Sequence, residues 1–279
     1  MARKVDVVVN FQPNKEIGIY DYLGIPRDTV KRWDPESYLS EMDRFGIAMT
    51  GIVPNVSANG IGGEVLGVHV DEVAPIIKAH PDRFFGWVGI NPLEGMKTLR
   101  YIEYGIKELG FKAVHVYPHW FGVPVNDRIY WPIYAKCCEL GVPIAVQAGS
   151  NTPRCGARVV ARPILLDDVA FHFPELKLIG LHIGYPWMNE MTLMAQNHEN
   201  VFIIADAYPP SEWGPDLVGY INEKEWLNKD GSHKVMWGTD WPVQTFERPL
   251  KEIDELGFAP EIKDRLVGEN AIRVLGLDA

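Results

Sequence analysis

Short runs rich in β-branched and aromatic residues alternate with longer amphipathic runs along all 279 residues, and this alternation limits the possible folds more than any other feature. The strand-like runs are Val5–Phe11, Ala48–Pro54, Phe84–Ile90, Phe111–Pro118, Pro143–Gly149, Lys177–Gly184, Val201–Tyr208 and Lys234–Pro242. Each is bounded by Gly, Pro, Asn or Asp. Between them lie helical patterns over Asp34–Gly46, Glu64–His80, Glu94–Gly110, Asp127–Gly141, Arg162–Pro174, Trp187–His198, Pro215–Lys229 and Glu247–Gly257. Asp34-Pro35-Glu36 reads as an N-cap, a proline at the first helical position and an acidic first turn. Pro260–Gly276 reads as one extra terminal helix.

Strand and helix alternating eight times without a linker predict an α/β chain forming a single (β/α)8 TIM barrel over residues 1–279, with an extra C-terminal helix. The competing architecture, a doubly wound open sheet, calls for a Gly-rich phosphate turn after the first strand. The turn here is Asn10-Phe11-Gln12-Pro13-Asn14. The stretch over residues 12–33 is long for a loop and reads as a lid or pocket wall.

Composition narrows the function classes. With 27 Lys+Arg against 37 Asp+Glu the net charge is −10, and no basic cluster offers a face for nucleic acid. Three cysteines, Cys137, Cys138 and Cys155, build neither a disulfide scaffold nor a thiolate zinc site. They fit a reducing cytoplasm, and no apolar run is long enough for a membrane span. There is no GxSxG elbow for an acyl-transfer serine.

Barrel chemistry gathers where the strands end. The polar residues closing the eight runs include Asn10 and Gln12, Asn55, Asn91, the trio His115, Tyr117 and His119, Gln147, His182 with Tyr185, Asp206, and Asp240 with Trp241. His69, His80, His172, His198 and His233 fall in helices or at their ends and read as capping or surface residues. Nine tryptophans are many for this length, and Trp120, Trp187 and Trp241 follow strand ends, as aromatic pocket walls would.

Three segments carry a resemblance: Phe-Pro-Glu-Leu-Lys-Leu-Ile-Gly-Leu-His-Ile-Gly-Tyr-Pro at 173–186, Val-Met-Trp-Gly-Thr-Asp-Trp-Pro at 235–242 and Gly-Glu-Asn-Ala-Ile-Arg-Val-Leu at 268–275. Ile77-Lys78-Ala79-His80-Pro81-Asp82-Arg83-Phe84 adds a fourth. The chain resembles the amidohydrolase-related family of TIM-barrel hydrolases and decarboxylases, similar to aminocarboxymuconate semialdehyde decarboxylase. The resemblance implies a metal site from a His-x-His after strand 1, histidines on strands 5 and 6 and an aspartate after strand 8. Those positions hold Asn10, Gln12, Gln147, His182 and Asp240 here, so two of five keep the family residue.

One imidazole and one carboxylate leave a transition metal short of ligands. The expectation is therefore a metal-independent site with no cofactor, with His182 and Asp240 as the acid–base pair and Asp206 as a second acid. Asn10, Gln12, His115, Tyr117, Gln147, Arg154, Tyr185 and Trp241 would bind the substrate, Arg154 by a bidentate clamp on a carboxylate. The substrate would be a small carboxylated molecule, aromatic or lactone-like, and the reaction hydrolysis or decarboxylation. The alternatives are a Zn²⁺- or Mn²⁺-dependent enzyme using His182, Asp240 and His115, and a non-catalytic small-molecule-binding barrel. The expected partners exclude nucleic acid and membrane and include a second copy, as a homodimer or homotetramer.

Overall fold

The computed structural model describes residues 3–11, 34–54, 68–149, 158–222 and 230–278. Eight parallel strands run in chain order: β1 (Lys4–Phe11), β2 (Ile47–Pro54), β3 (Phe84–Gly89), β4 (Ala113–Val116), β5 (Ile144–Gln147), β6 (Leu178–Leu181), β7 (Val201–Ala205) and β8 (Val235–Trp237). Sequential neighbours pair from β1 through β8, and the isolated bridge Val9↔Trp241 joins the last turn to the first strand. With helices between the strands this is the (β/α)8 barrel expected from the alternation. Among the described residues no helix is long and apolar enough to cross a membrane.

Strand periodicity sorts the core into two layers. Val5, Met49, Phe85, Trp87, Ala113, Ala145, Ile179, Leu181, Phe202, Ile204 and Met236 form one buried cluster inside the barrel. The alternate positions, such as Val114, Val116, Ile144, Val146, Leu178 and Ile203, pack outward against the helices. These strands are buried on both faces and so carry near-continuous apolar runs. The helix α1 (Pro35–Phe45) begins as its sequence predicts, with Asp34 capping the Ser37 N–H at 3.3 Å and a left-handed Gly46 ending it. His69 caps the helix α2 (Val70–Ala79) as half of a capping box.

Six strands end sooner than their apolar runs, and three of them, β4, β6 and β8, are instructive. The run 111–118 is a strand only over β4, and Pro118 starts the short helix α3 (Pro118–Phe121). The run 177–184 stops at Leu181, because His182 and Ile183 take left-handed backbone at φ 57° and 51°. The run 234–242 stops at Trp237, ahead of a turn that carries Asp240 at φ 54°. All three truncations lie at the C-terminal end of the barrel, where strand geometry gives way to side-chain placement. The terminal helix is not continuous either. Pro260–Asp264 passes through a π turn, Arg265–Glu269, into Asn270–Leu275. Gly268 in that turn packs directly on the Arg3 backbone, where a Cβ would collide. Ala271, Val274 and Leu275 join the inner core cluster and so close the barrel opposite the site.

Candidate active site

Inward parity carries three polar side chains above the apolar filling of the barrel. His115 follows Ala113, Gln147 follows Ala145, and Asp206 follows Ile204, each two residues on and on the same face. All three are buried. His182 has the opposite parity, since Leu181 already points inward. Its left-handed backbone turns the ring back, so that Nδ1 stands 3.1 Å from Oδ1 of Asp206. The same oxygen accepts the His182 backbone N–H at 2.8 Å.

Asp240 completes the cluster. One ligand atom from each of His182, Asp206 and Asp240 lies within 4.8 Å of the others, and all three residues are buried. Asn10 approaches from β1, donating its Nδ2 to Asp240 Oδ1 at 2.7 Å and to the carbonyls of Asp240 and Trp241 at 3.3 and 3.1 Å. Asn10 thus engages the carboxylate of a neighbouring site residue.

The electrostatics follow from burial and proximity. Burial alone would depress the basicity of His182, but Asp206 and then Asp240 outweigh it and hold its pKa above the ordinary value. Burial pushes the Asp240 carboxyl up to about 7, against the opposing pull of His182. His115 and His119 are each pushed down to about 3, by burial first and by His182 second, and are neutral imidazoles near pH 7.

Among the described residues, several buried polar atoms here have no hydrogen-bond partner: both ring nitrogens of His115, His119 and His182, both amide atoms of Gln147, Oδ2 of Asp206 and Nε1 of Trp120. Buried polar groups are rarely left so. They lie at the C-terminal end of the barrel, where they are candidates to contact a ligand. The Tyr117 and Trp120 rings lie 4.0 Å apart at 30°, and His115 meets Tyr117 edge-on at 4.4 Å.

The donor set also fits a divalent cation. One imidazole and two carboxylates suit Mn²⁺ or Zn²⁺. Ligands held at roughly 2.1 Å around one ion stand about 3 Å apart, the separation found between Nδ1 of His182 and Oδ1 of Asp206. Neither ring nitrogen of His182 is committed to an aligned hydrogen bond. His115 is not part of this group. Asp206, immediately after β7, brings the third ligand atom of this candidate group.

Other expected site residues sit further out. Tyr185 stacks on Tyr208 at 4.4 Å and is 37% exposed, on the rim. The Trp241 ring packs edge-on against Tyr38 at 5.6 Å. Gln12 and Arg154 lie outside the described residues. Two participants were not singled out as binding residues from sequence: Tyr208, which stacks on Tyr185, and Asp6, buried on β1. Asp6 carried a signal, as a lone acidic residue inside a strand run of valines.

The family model described as Amidohydrolase matches residues 5–277. A curated relative, the 2-amino-3-carboxymuconate-6-semialdehyde decarboxylase of Dictyostelium discoideum, is 23% identical over 284 residues, covering 88% of this chain and 77% of that protein. Among solved structures, an uncharacterised TIM-barrel protein of Bordetella bronchiseptica superposes with a TM-score of 0.77 at 22% identity, covering 98% of both chains. The 5-carboxyvanillate decarboxylase of Novosphingobium aromaticivorans, crystallised with manganese and 4-hydroxy-3-methoxy-5-nitrobenzoic acid, superposes with a TM-score of 0.70 at 16% identity, covering 99% of this chain and 96% of that one. These structural likenesses establish the fold. The expectation of a site without a cofactor is overturned, because a structural relative carries manganese and this chain brings His182, Asp206 and Asp240 together as a ligand group. The error lay in counting only the family's usual ligand positions, which leave strand 7 out.

Proposed function

The chain belongs to the amidohydrolase family, and from that premise we propose that it is a divalent-metal-dependent decarboxylase of a small aromatic carboxylate. The observation that carries this reading is the buried trio His182, Asp206 and Asp240, with ligand atoms within 4.8 Å of one another. The relatives named above, a semialdehyde decarboxylase and a manganese-bearing carboxyvanillate decarboxylase, support the reaction class.

His182, Asp206 and Asp240 would hold the ion. A divalent cation there would supply a Lewis acid that neutralises the substrate carboxylate. The chain's own residues do the rest. Tyr117 and Trp120, packed against each other, would offer an aromatic face to a substrate ring. Gln147 and the neutral imidazoles of His115 and His119 present unpaired donors and acceptors to oxygen substituents on that ring. Their burial excludes water and fixes the ligand's orientation. With their atoms engaged on such an ion, His182 and Asp240 would not be free to act as the acid–base pair expected from sequence.

The test is CO₂ release from 5-carboxyvanillate and a panel of hydroxybenzoates by protein reconstituted with Mn²⁺. We expect one ion per chain, turnover lost on chelation, and neither ion nor turnover in His182→Ala. Turnover indifferent to chelation, or stoichiometric Mn²⁺ with no decarboxylation across the panel, would overturn the reading.

A further inference from the structure

We propose that Asp6 is a positioning residue for the Asp240 carboxylate, acting through Thr239. The proposal rests on the reading of His182, Asp206 and Asp240 as one site. Asp6 sits on β1 with no exposed surface. Its Oδ1 accepts the Thr239 N–H at 2.8 Å and its Oδ2 accepts the Thr239 hydroxyl at 2.6 Å. The Thr239 Oγ1 in turn accepts the Trp241 N–H at 3.0 Å. One carboxylate therefore fixes the residues on both sides of Asp240. The turn it fixes is strained, with Asp240 in left-handed backbone at φ 54°.

The barrel seam explains why this grip is needed. β1 and β8 meet through the isolated bridge Val9↔Trp241 in place of a ladder. Nothing in regular sheet pairing would set the height or twist of the turn carrying Asp240. Asp6 holds the turn from below while Asn10 holds the Asp240 carboxylate directly at 2.7 Å. Gly238 permits the approach, since a Cβ there would stand 3.3 Å from Asp6 Oδ1 and 3.4 Å from the Asp206 Cβ.

A carboxylate is an expensive choice for holding a turn. Burying its charge costs free energy that an asparagine or serine would avoid, and burial does push the Asp6 carboxyl up to about 7. What the carboxylate adds is two acceptor oxygens that take the Thr239 N–H and hydroxyl together, which neither an asparagine nor a serine could do. Outer carboxylates that orient ligands characteristically tune metal affinity.

The test uses the full chain with Thr239→Val, Asp6→Asn and Asp6→Leu. Mn²⁺ affinity is read by calorimetric titration, and the ion-free protein by thermal unfolding and crystallography. Thr239→Val removes one hydroxyl at constant shape and so remains informative where Asp6→Leu fails to fold. We expect Thr239→Val and Asp6→Leu to weaken Mn²⁺ binding by about tenfold or more, with Asp6→Asn intermediate. Their crystal structures should show Asp240 Oδ1 withdrawn from Asn10. Variants that melt lower yet bind Mn²⁺ as the parent does would assign Asp6 a merely structural role and overturn the proposal. A parent protein that binds no Mn²⁺ counts against the proposed function instead. The position of Asp240 in the Thr239→Val structure then decides the case for Asp6, displaced in favour and unmoved against.

Discussion

Asp206 holds His182 at two points with a single carboxylate oxygen, which lies 3.1 Å from the ring Nδ1 and accepts the backbone N–H at 2.8 Å. The backbone contact stabilises a residue at φ 57°, a conformation that costs a residue with a Cβ about 1–2 kcal/mol. The side-chain contact follows from that conformation, because only the left-handed turn brings the ring inside the barrel. Local strain and site geometry are one feature here, and they separate on mutation.

Asp206→Asn keeps an acceptor for the His182 N–H but removes the charge. It should melt close to the parent while its Mn²⁺ affinity falls by about tenfold or more. Asp206→Ala loses both functions and should also lose about 1–3 kcal/mol of stability, since the buried N–H is left unpaired. Parallel thermal unfolding and Mn²⁺ titration check both. Equal melting temperatures for the two variants would show that the backbone clamp contributes nothing.

Ala207, next to Asp206, also has left-handed backbone, at φ 61°. Glycine ordinarily destabilises when it replaces alanine, by roughly 0.5–1 kcal/mol of chain entropy. Here it also removes the penalty of about 1–2 kcal/mol for a Cβ at positive φ. Ala207→Gly should therefore stabilise the protein by about 0.5 kcal/mol, the reverse of the usual sign. A denaturant midpoint below that of the parent would contradict the backbone assignment.

On the acid side the buried imidazoles of His115 and His119 work against the Asp6 and Asp240 carboxyls, which burial raises to about 7 and which therefore stabilise the fold as pH falls below that value. His115 and His119 have folded-state pKa values of about 3 against an ordinary 6.5, burial being the main cause. A histidine whose pKa is depressed on folding contributes stability that is complete above 6.5 and is lost as pH falls toward 3. Each should cost about 1.4 kcal/mol per pH unit in that window. His119→Gln should flatten the loss of stability between pH 6 and about 4 by roughly half of the two histidines' share. Chemical denaturation across that range measures it, and an unchanged slope would mean the ring is already protonated in the fold.

The barrel was legible because strands buried on both faces write themselves as apolar runs between helical periodicities. The site was legible only where strand parity survives. His115, Gln147 and Asp206 follow inward residues by two, so their strand-end placement predicts their direction. His182 and Asp240 are aimed by left-handed backbone that periodicity does not encode. That is why Asp206 read as a separate second acid and not as a partner of His182. Substitution at Asn10 and Gln147 then looked like the loss of a metal site, although Asp206, just beyond β7, joins His182 and Asp240 in a group that could hold an ion. The close approach of Asp6 to Thr239 joins residues 233 positions apart, and no local pattern announces it.

Gln147 offers a test that sets stability against binding. Its amide is buried, yet among the described residues neither Oε1 nor Nε2 has a partner. An unpaired buried amide costs about 1–3 kcal/mol. A residue kept only for packing would be better as leucine, which is one bond shorter, of comparable volume and without polar atoms. Gln147→Leu should thus raise stability by about 1 kcal/mol. If the amide faces a substrate oxygen, the same change should raise KM for the aromatic acid, because the oxygen would lose its partner and still be desolvated. A Gln147→Leu variant less stable than the parent would make the amide part of the fold's own hydrogen bonding and remove it from the binding wall.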